Sequence, residues 1–242
     1  MKTVWNIGCS GFHYKEWKDT FYAGIPASKW FSYYSKHFNT LESNVTFYRL
    51  PALKTLIKWY DDSPEQFSFS VKAPQLITHY KKFVGIENEL AAFYELIEKG
   101  FKDKLACVLF QFPPSFSYAE ERLETIIKIL SSSFNNVVEF RHESWFRNEV
   151  YKKLQQHKIT FCNISHPKLK DVFIETAPIL YFRFHGVPEL FKSSYSKEYL
   201  ENIIYQINQG NKVKKIYLNF NNTMSGAAVD NANFTKQITK TF

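Results

Sequence analysis

The chain has 242 residues, of which 45% are hydrophobic and 18% aromatic, and its 31 basic and 23 acidic side chains give a formal net charge of +8. This composition predicts an ordinary globular core, and the positive charge permits an anionic partner, with a merely basic, solvated surface as the alternative. No apolar run approaches the roughly 18 residues of a membrane-spanning helix, and the start MKTVWNIGCSGF lacks the long apolar stretch of a signal peptide, so neither a membrane segment nor a membrane partner is predicted.

The cysteine pattern excludes a disulfide frame. Cys9, Cys107 and Cys162 are odd in number, far apart and set in apolar runs, and none has the spacing of a CxxC metal site. Such thiols are typical of reduced cysteines, so the sequence predicts a cytoplasmic protein.

Short apolar runs alternate with longer amphipathic segments along the chain. The predicted strands are 4–8, 40–44, 67–72, 105–111, 137–141, 160–164, 180–185 and 216–221. Apolar stripes with spacing i, i+3, i+4, i+7 begin at Trp30, Leu90, Leu123 and Leu200 and predict helices. Weaker helical patterns cover 52–62, 146–157 and 226–240, whereas the segment around 168–172 is too short for a full helix.

Alternation of strands and helices predicts parallel strands with right-handed crossovers. Eight such strands in a chain of this length predict one (β/α)8 TIM-type barrel domain over residues 1–242. An open doubly wound sheet is the structural alternative, but GCSGF after the first strand does not match the GxGxxG pattern.

Polar side chains share one face of several predicted strands, close to their C-terminal ends. Alternation places Glu139 and Arg141 on one side of the fifth strand and Arg183 and His185 on one side of the seventh. In a barrel, this face and this end line the mouth, so the sequence predicts a polar pocket there. Its residues are Glu42, Asn44, Lys72, Gln111, Glu139, Arg141, Arg183, His185, Asn219 and Asn221.

The two carboxylates suggest acid–base chemistry. Glu42 and Glu139 belong to strands that are not neighbours and can face each other across the mouth. Arg141 beside Glu139 would keep it ionised, as a base or nucleophile, and His185 would donate the proton. The alternative is that Glu139 is a structural partner of Arg141 or Arg183.

The cations suggest a small anionic ligand such as phosphate or sulfate. Arg141, Arg183 and Lys72 would form the anion clamp, because guanidinium groups bind phosphate or carboxylate in pairs of hydrogen bonds. Ser225 and Gly226 would cap a helix whose free N–H groups face the anion, unless they only make the turn.

A metal or other cofactor is not predicted. Glu42, His79, Glu139, His142 and His185 are ligand types, but HxH and HExxH spacings are absent and the nearby cations would repel a divalent ion.

Seven ordered motifs carry a resemblance to a known family over nearly the whole chain. They are IGCSGFHYKEW, FNTLESNVTFYRLP, FSFSVKAPQLITH, VLFQFPPSF, VEFRHESW, YFRFHG and YLNFNNTMSGAAVDNA. Together they resemble the YecE-like family called domain of unknown function 72, which implies a TIM-type barrel and no settled function. The family's motif residues fall on Glu42, Asn44, Lys72, His79, Gln111, Glu139, Arg141, Trp145, Arg183, His185, Gly186, Asn221 and Asn222.

One position departs from the family pattern. The resemblance implies an Asp near the end of the sixth strand, where this chain has CNISHPK, with Ile164 or Ser165 at that place. If that Asp is catalytic, this protein is altered or inactive; if it anchors a loop, Asn163 or Ser165 substitutes for it.

The leading hypothesis is an enzyme that acts on a small phosphorylated or sugar-like anion by acid–base or hydrolytic chemistry. In it Glu139, His185 and Glu42 are catalytic, and Lys72, Arg141, Arg183, Gln111, Asn44, Asn221, Asn222 and His79 bind the substrate. One alternative is a nucleic-acid-binding or nuclease-like barrel, suggested by the net charge and the aromatic stretch GFHYKEWKDTFY. The other is a non-catalytic ligand-binding protein. The sequence does not determine the oligomeric state.

Overall fold

The computed structural model describes residues 3–210 and 213–240. Within these ranges, eight parallel strands close into a barrel in chain order. They are β1 (Val4–Ser10), β2 (Thr40–Ser43), β3 (Ser68–Lys72), β4 (Leu105–Gln111), β5 (Asn136–Glu139), β6 (Thr160–Ser165), β7 (Ile179–Phe184) and β8 (Lys215–Phe220). The predicted single-domain TIM-type barrel is therefore confirmed, while its extension to residues 1–2, 211–212 and 241–242 stays a prediction, because these lie outside the described residues.

Helices pack around the outside of the barrel in the connections between strands, and the connection between β6 and β7 has no helix. They are α1 (Trp30–His37), α2 (Val45–Tyr48), α3 (Leu53–Asp62), α4 (Glu87–Phe101), α5 (Glu120–Ile129), α6 (Asn148–Gln156), α7 (Lys197–Gln209) and α8 (Ala227–Thr239). The four predicted stripes lie on α1, α4, α5 and α7. No helix forms in the loop 166–178 between β6 and β7, as its length predicted, whereas the short α2 after β2 was not predicted.

Strand alternation separates two cores. Leu180, Phe182 and Phe184 of β7 face the helices and belong to the large outer core. Tyr181 faces the barrel interior, where a second apolar cluster includes Cys162 and five more strand residues, Cys107, Leu109, Val137, Ile164 and Tyr217. The three cysteines are buried and unpaired, so they serve as small core residues. Because the lower barrel is filled with side chains, the charged interior residues Glu42, Glu139 and Arg183 lie toward its C-terminal end.

The aromatic stretch after β1 packs on the rim instead of reaching out from it. Trp17 and Tyr22 are fully buried. The indole Nε1 of Trp17 donates to the carbonyl of Thr223, 3.1 Å away, and thereby joins the loop after β1 to the loop after β8. This bond braces the rim where the last strand meets the first.

No helix in the described part of the chain combines the length and the apolar character that crossing a bilayer requires.

A tyrosine hydroxyl is inserted between β1 and β2. The backbone N–H of Cys9 donates to Tyr34 Oη at 2.6 Å, and Tyr34 Oη donates to the carbonyl of Thr40 at 3.0 Å. Gly8 is required beside it, because a Cβ there would lie 2.1 Å from the Thr40 carbonyl oxygen and 2.8 Å from Tyr34 Oη. The hydroxyl therefore replaces a direct bond between the two strands.

Removing this hydroxyl is expected to weaken the barrel. Tyr34→Phe leaves a buried N–H and a buried carbonyl unpaired, and the free energy of unfolding should fall by about 1–3 kcal/mol in urea titration. Tyr205→Phe is the control, since Tyr205 is 61% exposed. Equal stability of both variants would show that the inserted hydroxyl does not support the strands.

Candidate active site at the barrel mouth

Arg183 of β7 lies in the barrel interior between two carboxylates. Its Nε and Nη2 donate to the two carboxylate oxygens of Glu42 at 2.9 and 2.7 Å, and its Nη1 donates to Glu139 Oε2 at 2.6 Å. Tyr181 Oη, two residues earlier on β7, donates to Glu42 Oε2 at 2.8 Å. Glu42 and Glu139 are fully buried, and Arg183 is 1% exposed. Arg183 thus connects β2, β5 and β7 across the barrel.

A second arginine completes this buried network. Arg141, just beyond the end of β5, donates through Nε to Glu139 Oε1, while its Nη2 lies 2.9 Å from His185 Nε2. The other ring nitrogen of His185, Nδ1, lies 2.9 Å from the side-chain amide of Asn221. The Asn221 atom beside Nδ1 is the amide nitrogen Nδ2, a donor, and Nε2 also lies 3.4 Å from the acceptor Glu139 Oε1. Glu139, Arg141, His185 and Asn221 are therefore linked in one chain of polar contacts.

The network explains how two carboxylates remain charged in the barrel interior. Burial opposes the ionisation of Glu139, but Arg141 and Arg183 outweigh it and hold the pKa of this carboxyl well below its usual range. Burial, Arg141 and Arg183 hold the pKa of His185 well below its usual range, so this ring is neutral at neutral pH. Two carboxylates are matched by two guanidinium groups, so the network has no net charge.

Lys72 at the end of β3 stands apart from this balance. Its Nζ donates to Gln111 Oε1 at 2.8 Å and lies 3.8 Å from the ring centroid of Phe47. In the described ranges, no carboxylate lies within 4.0 Å of this amine. Burial, together with the positive charge of Arg183, lowers the pKa of Lys72 to about 7. Lys72 therefore changes charge near neutral pH.

His79 and Gln111 continue the polar surface beside Lys72. Gln111 Nε2 donates to the carbonyl of Phe112 at 2.8 Å and lies 3.5 Å from His79 Nε2. Burial, together with Lys72, lowers the pKa of His79 to about 4. Six residues predicted for the pocket thus form two groups at the mouth, each joined by side-chain contacts. One consists of Lys72, Gln111 and His79, and the other of Arg141, His185 and Asn221.

Arg183 and Asn222 occupy positions that do not suit the roles predicted for them. Arg183 is bonded to two carboxylates below the mouth, so it braces the barrel instead of clamping an anion. Asn222 Nδ2 donates to Ser193 O at 3.0 Å and to Asn231 Oδ1 at 2.9 Å, which ties the loop after β7 to α8.

The predicted cap of the last helix is formed differently. The hydroxyl of Ser225 donates to the carbonyl of Lys192 at 2.9 Å, and α8 begins after Gly226 without a side-chain cap. The interpretation of Ser225 as a capping residue is therefore wrong.

Asn44 lies beside the polar group and lines a separate groove. With Phe12, Tyr14 and Tyr48 it borders an apolar cavity of about 320 Å³. Its Oδ1 is buried and has no hydrogen-bond partner among the residues that the structure describes.

The structure shows where the residues lie that stand on β6 in place of the Asp implied by the resemblance. Ile164 is fully buried in the interior cluster, in register with Arg183. Asn163 points outward and anchors the loop 166–178, since its Nδ2 donates to Ile174 O at 3.1 Å and its Oδ1 accepts from Ile174 N at 2.8 Å. Asn163 therefore anchors this loop, and the interior position beside Arg183 carries no charge.

Two site residues were missed as members of the pocket. Tyr181 shares the face of Arg183, so alternation would have identified it. Phe47 lies on the unpredicted α2, and no pattern in the sequence places its ring on Lys72. Asn219, which was predicted for the polar pocket, is fully buried, and within residues 3–210 and 213–240 neither of its amide atoms has a hydrogen-bond partner.

Among residues 3–210 and 213–240, no group of three His, Cys, Asp or Glu side chains is arranged to hold a metal ion. The physical reason is visible in the network, where guanidinium groups already occupy both interior carboxylates.

A family model, a curated relative and solved structures all relate this chain to one protein family. The family model described as protein of unknown function DUF72 matches residues 6–241. The UPF0759 protein YunF of Bacillus subtilis is 34% identical over 127 residues, which are 50% of this chain and 45% of that protein, so the match spans about half the length of this curated relative.

Two solved structures of DUF72 family proteins have the same fold. The protein from Thermotoga maritima is 30% identical, with 98% of this chain and 99% of that chain covered and a TM-score of 0.87. The protein from Enterococcus faecalis is 19% identical, with 98% and 96% covered and a TM-score of 0.81.

Removing one interior carboxylate is expected to destabilise the barrel. Glu139→Gln leaves Arg141 without its carboxylate partner and Arg183 with Glu42 alone, so one buried positive charge is unmatched and the free energy of unfolding should fall by about 3–5 kcal/mol. Glu124→Gln is the control, because Glu124 is half exposed in its pair with Lys153 and should change stability by about 0.5 kcal/mol or less. Unfolding of both variants in guanidinium chloride measures this. Equal denaturation midpoints for the two variants would contradict the bracing role of Glu139.

Replacing each of two equally buried lysines by methionine is expected to change the melting temperature in opposite directions. Lys72 and Lys104 are each 9% exposed, but Lys104 Nζ donates to Tyr60 O at 2.7 Å and to Ser63 O and Oγ at 2.9 Å. Lys104→Met should lower the melting temperature, because it leaves those acceptors unpaired. Lys72→Met should raise it, because the folded protein no longer buries a poorly matched charge.

The effect of Lys72 on the stability of the fold is expected to depend on pH. A lowered lysine pKa means that the unfolded chain binds the proton more tightly, so wild-type stability rises between about pH 7 and pH 10. The advantage of Lys72→Met should therefore be largest below about pH 7 and shrink above it. A constant advantage across this range would mean that Lys72 does not titrate there.

Proposed function

The chain belongs to the family described as protein of unknown function DUF72, and we propose that it is an enzyme that binds a small anion at the barrel mouth and transforms it by acid–base chemistry. Lys72 and Arg141 supply the positive charge, and Gln111 and Asn221 supply hydrogen bonds. Glu42, Glu139 and Arg183 form the support beneath them. The match to a curated relative covers about half of that protein, so the activity is derived from the site in this chain alone.

The charge balance of the interior network is the observation that carries this proposal. Two carboxylates and two guanidinium groups compensate one another, so protonated Lys72 brings one uncompensated positive charge to the mouth. Lys72 is 9% exposed and the Arg141 side chain 11% exposed, so each keeps a small solvent-accessible surface at the mouth. An anion there would replace the carboxylate partner that Lys72 lacks.

The proton chemistry is assigned to Lys72 in preference to Glu139. Glu139 is held ionised by two arginines, which makes it a weak base. His185 is fully buried between Arg141 and Asn221, and burial together with the two arginines lowers its pKa, so we assign it to positioning the guanidinium, with Asn221 orienting the imidazole. Lys72, whose pKa is about 7, can accept or donate a proton at neutral pH with little cost.

Anion binding is expected to weaken as pH rises. A bound anion stabilises the ammonium form and raises the pKa of Lys72, so affinity should be constant below about pH 7 and fall by up to about tenfold per pH unit above it. Sulfate is the probe for calorimetry, since its own charge is constant over this range. Binding should be accompanied by proton uptake.

Lys72→Met should weaken sulfate binding and remove its pH dependence, while Lys99→Met, at a lysine that is 60% exposed, should keep both. Phosphosugars, carboxylates and short single-stranded DNA complete the panel. Sulfate binding that is identical in wild type and Lys72→Met would overturn the proposal. A response to DNA alone, unchanged in Lys72→Met, would assign the function to another surface.

A further inference from the structure

We propose that Lys72 is a covalent nucleophile that forms an imine with the carbonyl carbon of an anionic aldehyde or ketone. This inference rests on the proposed function for the part of the substrate that carries the charge, which Arg141 binds. It narrows the substrate class to carbonyl compounds with a carboxylate or phosphate group. It also gives Lys72 a reaction of its own, beyond charge and proton transfer.

The surroundings of Lys72 hold the amine in place without neutralising it. Gln111 Oε1 is a neutral acceptor, and the face of Phe47 covers the other side of the amine. Thr46 Oγ1 donates to the backbone carbonyl of Lys72 at 2.6 Å, which fixes α2 and its Phe47 ring against the end of β3. A lysine paired with a carboxylate would be kept as an ammonium ion, which has no lone pair to attack a carbonyl. Lys72 has no such pair among the described residues.

Lys104 shows what a structural lysine in the same protein looks like. It is buried to the same degree, yet three oxygen atoms surround its ammonium group and account for its three hydrogens. It lies just before β4, at the opposite end of the barrel from the mouth. Burial alone therefore does not distinguish Lys72; the single neutral oxygen partner and the position at the mouth do.

The charge state supports this assignment. With a pKa of about 7, roughly half of the Lys72 side chains are neutral amines at pH 7. An ordinary exposed lysine, with a pKa of about 10.4, has fewer than about one neutral amine in a thousand at the same pH. When Lys72 is the neutral amine, the anionic group of the substrate is held by the guanidinium of Arg141 alone, more weakly than when the ammonium is also present, and the amine is then free to react.

The reaction balances without a cofactor. The Lys72 nitrogen adds to the carbonyl carbon, the carbonyl oxygen takes up a proton, and the nitrogen loses one, giving a carbinolamine. Its hydroxyl group then leaves as water with the second proton of the nitrogen, and a C=N double bond remains. Amine and carbonyl thus give imine and water, and no atom is oxidised or reduced.

Reductive trapping tests this step on the intact protein. Glyoxylate, an aldehyde that carries a carboxylate, is added together with cyanoborohydride, which delivers a hydride to the imine carbon and leaves a stable secondary amine. Peptide mass mapping should find the product on Lys72 at least about tenfold more than on Lys104 or any exposed lysine. Labelling should be greatest near pH 7–8, whereas ordinary lysines react increasingly up to about pH 10.

Three variants make the result specific. Lys72→Met should lose the site-specific product, and Lys99→Met should keep it. Arg141→Gln should reduce trapping of glyoxylate more than trapping of acetaldehyde, which has no carboxylate for the guanidinium to bind. Circular dichroism checks that each variant is folded.

The outcomes separate this inference from the proposed function. Sulfate binding that depends on Lys72, combined with glyoxylate labelling spread evenly over the lysines, would overturn the imine and leave anion binding intact. Specific trapping on Lys72 that is equally strong in Arg141→Gln would support the nucleophile and overturn the anion-binding role of Arg141. Absence of both specific trapping and sulfate binding would overturn both proposals.

Discussion

The guanidinium group of Arg183 is the interaction on which the rest of this barrel mouth depends. It bonds to Glu42 on β2 and Glu139 on β5, so one side chain connects three strands across the interior. Burying any of these charges alone would be costly, and their mutual hydrogen bonds compensate that cost. The network therefore holds strand ends in a defined arrangement directly below the surface that a ligand would meet.

From this arrangement follows the electrostatic character of the site. Since the interior carboxylates are already matched, they do not attract a cation or act as strong bases. Arg141 is held by Glu139 on one side and by His185 on the other, which presents the guanidinium group at the mouth. Lys72 is left with a neutral oxygen and an aromatic ring as its neighbours. A buried amine of this kind reduces stability, and its retention is more easily understood as chemistry than as packing.

The residue on the sixth strand beside Arg183 also affects the net charge of the buried network. Ile164 lies beside Arg183, and a carboxylate at that position would add a third negative charge to a network with two positive ones. With isoleucine there, the network is neutral, and anchoring of the loop after β6 is left to the outward-facing Asn163. Isoleucine at this position is thus compatible with an intact mouth.

Much of the architecture was determined by local patterns in the sequence. Period-two alternation identified the strands and correctly assigned Glu139, Arg183 and Asn219 to the inner face, because the direction of a strand side chain depends only on its place along the strand. Periodicity identified the main helices for the same reason. Only the tertiary structure decided which charges meet. Arg183 bonds to Glu42 across 141 residues of sequence, and Phe47 reaches Lys72 from a short helix that no pattern marked. Alternation fixes a direction but not a distance, so the sequence could place Arg183 and Lys72 in one polar ring without showing that the first is a buried brace and the second an unpaired amine.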